Sequence, residues 1–371
     1  MIPVFKPKVN YSDIFSVLKT LISENISGTS PVIEIFEKKL AKKFNRKYCV
    51  AVSNGSVALD LSLQSLNLKK GDEVIIPSFT IISALSAVLR TEATPIFCDV
   101  DPESWNMTLK NVEHCYTQKT RAVLMVHTYG LTAEASKIEN FCKDNRIELI
   151  EDAAEAHGQE MDNRKCGSFG LISTFSFYAN KHITTGEGGA VLTDSEEIYN
   201  ILMRMRNLDF TKKNRFNHQN MYWNYRLSGL QAALGISQID SLETVIKKKI
   251  KQGDYYLELL NKYSELIQLP MFKHNNTKNH YWVFGILLKD ENKRDRLMEL
   301  LLEKGIETRP FFWPLHLQTF FIKDTKDTNT ELEVSENLGR NGLYLPIGTH
   351  INKKIQQKIV GELISSIKEI K

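Results

Sequence analysis

The chain has few cysteines and no pattern among them. Cys49, Cys98, Cys115, Cys142 and Cys166 are odd in number and widely scattered, with no CxxC pair and no Cys/His cluster. Neither a disulfide framework nor a zinc site is supported, no metal is expected, and a reducing cytoplasm fits best. Long hydrophobic runs are also missing: nowhere do about eighteen apolar residues follow one another, which excludes a membrane span by hydropathy. The opening MIPVFKPKVNYSDIF lacks the continuous apolar stretch and small-residue cleavage site of a signal peptide. Charge of one sign is scarce too. A net charge of +4 over 371 residues, spread along the chain, gives no reason to expect nucleic acid as a partner. The lysines of the C-terminal INKKIQQKIVGELISSIKEIK alternate with Ile, Val and Leu at helical spacing and read as the solvated face of an amphipathic helix.

What is present is typical of a globular protein: 42% hydrophobic and 25% charged residues, with length enough for a large core or two domains. From about residue 50, short apolar runs at 73–79, 94–100, 121–130 and 147–156 alternate with helical stretches. That order predicts an α/β fold with a mostly parallel sheet, whose ligand sits at the carboxyl ends of the strands. After residue 225 the texture changes to a long helix over 227–263, broken near Gly235, and then a smaller α+β unit. A boundary near 240 divides the chain into 1–240 and 241–371, with the first ~25 residues packing on the small unit.

Three stretches carry candidate chemistry. In VSNGSVALDLSLQSL (52–66) a strand ends, Asn54-Gly55-Ser56 turns, and a helix begins. Free N–H groups at a helix N-terminus suit a phosphate, although a simple helix cap suffices when the stretch is taken alone. It carries neither GxGxxG nor GxxxxGK[ST], so no dinucleotide or ATP fingerprint is present. In LIEDAAEAHG (149–158) acidic residues close an apolar strand, where a buried carboxylate needs a cationic or hydrogen-bonding partner. A protonated cofactor ring nitrogen is one such partner; a cap or an ion pair is another. His157, with no second ligand at zinc-like spacing, reads as structural. In STFSFYANKHITTGEGGAVLTD (173–194), Lys181 stands between aromatic strand-like residues and a glycine turn. Enclosure there favours the neutral amine, which can attack an aldehyde. Phosphate cradle, acid and lysine together are what pyridoxal 5'-phosphate (PLP) requires.

NGSVALDLSL, GDEVIIPSFT, IEDAAEAHG, GSFGLISTFSFYANKHITTGEGG and NYRLSGLQAALGISQID resemble the signature segments of the DegT/DnrJ/EryC1/StrS family of sugar aminotransferases. The resemblance runs from about residue 3 to the C-terminus. It implies the PLP-dependent transferase fold of type I (aspartate aminotransferase-like), with a mostly parallel central sheet and a smaller α+β C-terminal domain. IETRPFFWPLH (306–316) and NHYWVFGILL are similar to segments of GDP-perosamine synthases and related 4-amino-4,6-dideoxysugar enzymes.

Carried over by motif position, Lys181 is the catalytic lysine that bonds the cofactor. Asp152 pairs with the pyridine nitrogen, and Glu155 lies near the ring's phenolic oxygen. Gly55, Ser56 and Ser176 hold the phosphate, Ile81 occupies the ring-stacking slot often filled by an aromatic residue, and Asn224 reaches the phosphate from the neighbouring subunit of a homodimer. Tyr225, Arg309 and His316 are assigned to the sugar-nucleotide or glutamate site, each with a structural role as the alternative. The implied partners are L-glutamate and a nucleotide-linked keto sugar. Relatives that replace the lysine by histidine dehydrate instead; here Lys181 is kept and His182 follows it. Lys181 thus argues against a PLP-dependent sugar dehydratase, and the intact set against a non-catalytic regulatory homologue. Another keto sugar, a 3-keto sugar or a UDP-4-keto-HexNAc, remains open as the acceptor.

Overall fold

The computed structural model describes residues 1–211, 215–274, 276–325 and 332–370. Residues 326–331 and Lys371 of the expected C-terminal unit lie outside it. The valine- and isoleucine-rich runs form a central seven-stranded sheet: β1 (Tyr48–Val52), β2 (Glu73–Pro77), β3 (Thr94–Cys98), β4 (Thr120–Val126), β5 (Glu148–Asp152), β6 (Ile172–Ser176) and β7 (Gly189–Thr193). Their spatial order is β1-β7-β6-β5-β4-β2-β3. β2, β3, β4, β5 and β6 pair in parallel, and β7 runs antiparallel to both β6 and β1. Strands buried on both faces need apolar residues at consecutive positions, which is why these runs do not alternate with polar ones.

Helices cover the sheet: α1 (Tyr11–Ile22), α2 (Pro31–Lys43), α3 (Gly55–Ser65), α4 (Ser83–Leu89), α5 (Leu109–Cys115), α6 (Ala135–Asn145) and α7 (Glu196–Arg206). One core cluster joins Phe36 and Leu40 of α2, and Phe44 just after it, to Phe175, Phe177 and Leu192, and another joins α3 and α4 to β2 and β4. α8 (Gly229–Leu260) follows, started by a capping box between Ser228 and Gln231. It is continuous, so the break expected at Gly235 does not occur. A Cβ at Gly235 would lie 2.4 Å from the Phe36 ring, so the glycine serves close packing of α2 on α8.

Residue 240 falls inside α8. The helix places Leu242 and Ile246 in the core beside the large sheet, and Tyr256 and Leu260 in the core of a second, four-stranded sheet. That sheet, β8 (Ile267–Gln268), β9 (Phe284–Leu288), β10 (Arg309–Pro310) and β11 (Gly342–Leu345), has the order β8-β9-β11-β10 and is antiparallel. α9 (Arg294–Glu303) and the helix Lys353–Glu369 pack with it. Of the first residues, Ile2 bridges Ile306 in this unit and the Val4 amide donates to Glu307. α1 instead lies on α8, with the Ser16 hydroxyl donating to the Ala233 carbonyl. Among the described residues no helix is long and apolar enough to cross a membrane.

Candidate active site

At the carboxyl ends of β1, β2, β5 and β6 a cavity of about 500 Å³ opens beneath the small sheet. Gly55, Ser56, Ile81, Asp152, Glu155, Ser176 and Lys181 all line it. Four separate segments of the sequence reading therefore converge on one space. A larger cavity of about 650 Å³ lies between α2 and α7, but its buried charges, Glu37 and Arg206, are paired with each other.

The floor is the N-terminus of α3. The Asn54 side chain accepts from the Val57 amide at 2.9 Å, so one free N–H is capped. Among the described residues the amides of Gly55 and Ser56 have no acceptor, and they face an anion favourably. A Cβ on Gly55 would come within 2.7 Å of the Ser176 Cβ, so only glycine lets the helix start this close to the end of β6. The hydroxyls of Ser56 and Ser83 lie 2.6 Å apart at the same end.

Asp152 closes β5. Its Oδ1 accepts from the Ala154 amide at 3.0 Å and from the Thr174 hydroxyl at 3.4 Å, while Oδ2 has no partner among the described residues. Burial pushes this carboxyl above its ordinary range; the Ala154 amide and the charge of Lys181 oppose that. A cationic N–H at Oδ2 would relieve the desolvation.

Lys181 sits in the loop between β6 and β7, held in a turn by its amide donating to the Tyr178 carbonyl at 2.9 Å. Its side chain is nine-tenths buried, with Nζ 3.5 Å from Glu155 Oε1 and 3.7 Å from the centroid of the Trp282 ring. Burial lowers its pKa, against the pull of Glu155 and Asp152. Glu155 in turn accepts from the amide of Tyr129, a residue in the left-handed region with φ of 61°, and burial raises its carboxyl to about 7. His182 points away: it is buried and does not line the cavity. The lysine, not its neighbour, faces the space.

The remaining sequence-predicted residues lie elsewhere. Asn224 is exposed, opposite Asn207, outside the cavity of its own chain. Tyr225 faces the Asp60–Arg90 ion pair at the far side of α3. Arg309, on exposed β10, pairs with Glu307 at 2.6 Å; it stands opposite Tyr344, which does line the cavity. His316 is buried, bonded through Nδ1 to the Ser78 hydroxyl at 2.6 Å and lying 3.4 Å from Glu336. It ties the end of β2 to the 311–317 segment, which is the structural alternative for this residue.

Of the lining residues that the sequence reading did not name, Trp282, Phe312 and Tyr344 come from beyond residue 240. These three belong to the unit around the small sheet, and the aromatic runs HYWVF and RPFFWP were the available signals for Trp282 and Phe312. Among the described residues one buried group has metal-ligand proximity, His127, Glu151 and Cys166. Its polar atoms are consumed within the chain. His127 bonds Glu151 at 2.8 Å and accepts from the Ala133 amide, and Glu151 accepts from the amides of Gly167 and Phe169.

An anion cradle, a carboxylate with one free oxygen and an enclosed amine fit pyridoxal 5'-phosphate. The comparisons agree. The DegT/DnrJ/EryC1/StrS aminotransferase family model matches residues 10–364. A GDP-perosamine synthase of Escherichia coli O157:H7 is 35% identical over 348 residues, covering 93% of each chain. Among solved structures, the aminotransferase TlmJ from Streptoalloteichus hindustanus superposes with a TM-score of 0.93 at 24% identity, over 100% of this chain and 99% of that one. A GDP-4-keto-6-deoxymannose-3-dehydratase variant with bound GDP-perosamine superposes with a TM-score of 0.90 at 25% identity, over 98% of this chain and 100% of that one. The chain is a PLP-dependent aminotransferase of the DegT/DnrJ/EryC1/StrS family, with the type I fold.

Proposed function

We propose that the protein moves the amino group of L-glutamate to a nucleotide-linked 4-keto-6-deoxyhexose. The product is a 4-amino-4,6-dideoxysugar of the GDP-perosamine type, made in the cytoplasm for glycan or O-antigen biosynthesis. The observation that carries this reading is the 35% identity, over nearly the full length of both chains, to a relative named GDP-perosamine synthase. The lysine facing the cavity, in place of histidine, favours transamination over dehydration.

When bound, PLP supplies an aldehyde that takes up the donor nitrogen and a ring that withdraws electrons from the neighbouring C–H bond. The chain does the rest. The N-terminus of α3, with Gly55, Ser56 and Ser176, would hold the phosphate, and Asp152 Oδ2 would hold a proton on the ring nitrogen. Lys181, whose pKa burial lowers, would take the proton from the donor α carbon as general base and deliver it, as general acid, to the carbon that takes up the donor nitrogen. Trp282 and Glu155 confine the amine while it does so.

The protein acts as a homodimer in which Asn224 completes the partner's site. In favour of this reading, α1 exposes Tyr11, Ile14, Phe15, Leu18, Leu21 and Ile22, and Met221 and Trp223 beside Asn224 are also exposed. An apolar patch of that kind marks an interaction surface. The test of function is incubation with L-glutamate and a panel of GDP-, UDP- and dTDP-linked 4-keto-6-deoxyhexoses, with the product identified by mass and NMR. Amination at carbon 4 of the GDP sugar is expected; turnover of none of the 4-keto sugars would overturn the proposal.

A further inference from the structure

Behind Lys181, on the side away from the cofactor cavity, lies a second and much smaller space of about 40 Å³. Lys6, Asn180, Lys181, His182, Lys249 and Gly348 are among its walls. Lys249 comes from the middle of α8 and is itself nine-tenths buried. Its ammonium makes one hydrogen bond, 2.7 Å to the main-chain carbonyl of Trp282. Trp282 is the residue whose indole lies 3.7 Å from the Lys181 amine and whose Nε1 donates to the Asn180 carbonyl at 3.2 Å. Lys249, Trp282 and Lys181 thus form one packed series reaching from α8 to the reacting amine.

The charges around Lys249 are unusual for a buried cation. Buried charges are ordinarily paired, and removing one partner of such a pair is costly. No carboxylate pairs with Lys249 among the described residues. Facing it are Lys181, His157, His182 and His350, with Lys6 and Lys8 at the mouth and His280 beyond His182. Asp152 and Glu155 lie on the far side of Lys181. His157 and His182 are buried and His280 and His350 partly so, and desolvation lowers the pKa of all four, His157 to about 3 and His280 to about 4. Several of their ring nitrogens, both of His182 and Nε2 of His157, have no hydrogen-bond partner. A helix stabilised by apolar packing alone has no use for an amine at this position, and a methionine there would fill the same volume.

We propose that Lys249 is a positioning residue for Lys181: bonded to the main chain of Trp282, it fixes the indole that confines the reacting amine and disfavours a second positive charge beside it. The two amines share one low-dielectric space, so protonation of either opposes protonation of the other. Burial and the nearby Lys181 bring Lys249 down to about 7, so the two amines are coupled. A neutral Lys181 is the form that can bond the cofactor and act as base. The second amine thereby supplies, through charge, part of what burial alone supplies incompletely in the presence of Glu155 and Asp152.

This inference rests on Lys181 being the cofactor lysine, and its test separates the two. In the protein isolated with its cofactor, the visible absorption band is titrated against pH for the wild type, Lys249→Met and Lys249→Arg. Lys181→Ala, which loses the band if Lys181 bonds the cofactor, checks the underlying assignment separately. Removing the neighbouring charge moves the Lys249→Met midpoint upward by about 1 pH unit or more. The charge-preserving Lys249→Arg stays at or below the wild-type midpoint. An unmoved Lys249→Met midpoint, even with lowered thermal stability, would make Lys249 a packing residue only. Should Lys249→Met fail to fold, the arginine variant alone decides: a midpoint raised above wild type would overturn the proposal, and one at or below it supports it.

Discussion

Glu155 and Lys181 show how one pair of side chains can carry opposite burdens of burial. The cavity wall desolvates both, raising the carboxyl to about 7 and lowering the amine. The Glu155 shift has a consequence for stability, because the folded-state pKa lies above the ordinary 4.5. A raised carboxyl costs nothing below its unfolded pKa; the cost grows as pH rises from that value to the folded one and is constant above it. In the cofactor-free protein, Glu155→Gln is therefore expected to gain stability relative to wild type between pH 4.5 and about 7, with the gain constant above. Melting temperatures of the two proteins across that range check it; a gain that shrinks with rising pH would show that the carboxylate is stabilised instead. Lys181 and Asp152 were legible in the sequence only together: each alone admits a structural role, and their co-occurrence with the Asn54–Ser56 turn and the family resemblance singled them out. His316 shows the limit of such reading. Its residue type suits a ligand pocket, but the Ser78 hydroxyl turns it into the interior, and a direction of that kind is set by tertiary packing.

The element proposed to hold the cofactor phosphate is α3. Asn54, two residues after β1, caps the helix, and Gly55 brings the first free amides against Ser176. Gly55→Ala forces a methyl group into that contact, and the overpacking is expected to raise the dissociation constant for PLP about tenfold or more. Spectroscopic titration of the cofactor-free protein measures this directly. Unchanged affinity, with the helix intact by circular dichroism, would move the phosphate away from α3. The alternation of apolar runs and helical stretches was enough to foresee the parallel sheet and this helix start. Gly235 was misread as a break because sequence alone registers the flexibility of glycine; its use here, as the place where Phe36 meets α8, depends on a residue some two hundred positions away. Trp282, Phe312 and Tyr344 escaped for the same reason, since the small unit brings them over strands distant in sequence.

At the scale of the molecule, α8 reaches from the large-sheet core to the small-sheet core and carries Lys249 between them. The proposed dimer adds the last part of the site. Lys181→Ala and Asn224→Ala, each impaired alone, are expected to complement when mixed and allowed to exchange subunits. Half of the dimers are then mixed and each has one intact site, so recovery approaches about a quarter of wild-type activity. Absence of recovery, with exchange shown by mass spectrometry, would place Asn224 in its own chain's site. The assignment of Lys181 underlies all of these expectations and can be tested without any substrate. Borohydride reduction of the protein isolated with its cofactor, followed by digestion and peptide mass spectrometry, locates the pyridoxyl group. Label on Lys181 alone is the expected result; label on Lys249 or any other lysine, with Lys181 unmodified, would contradict it.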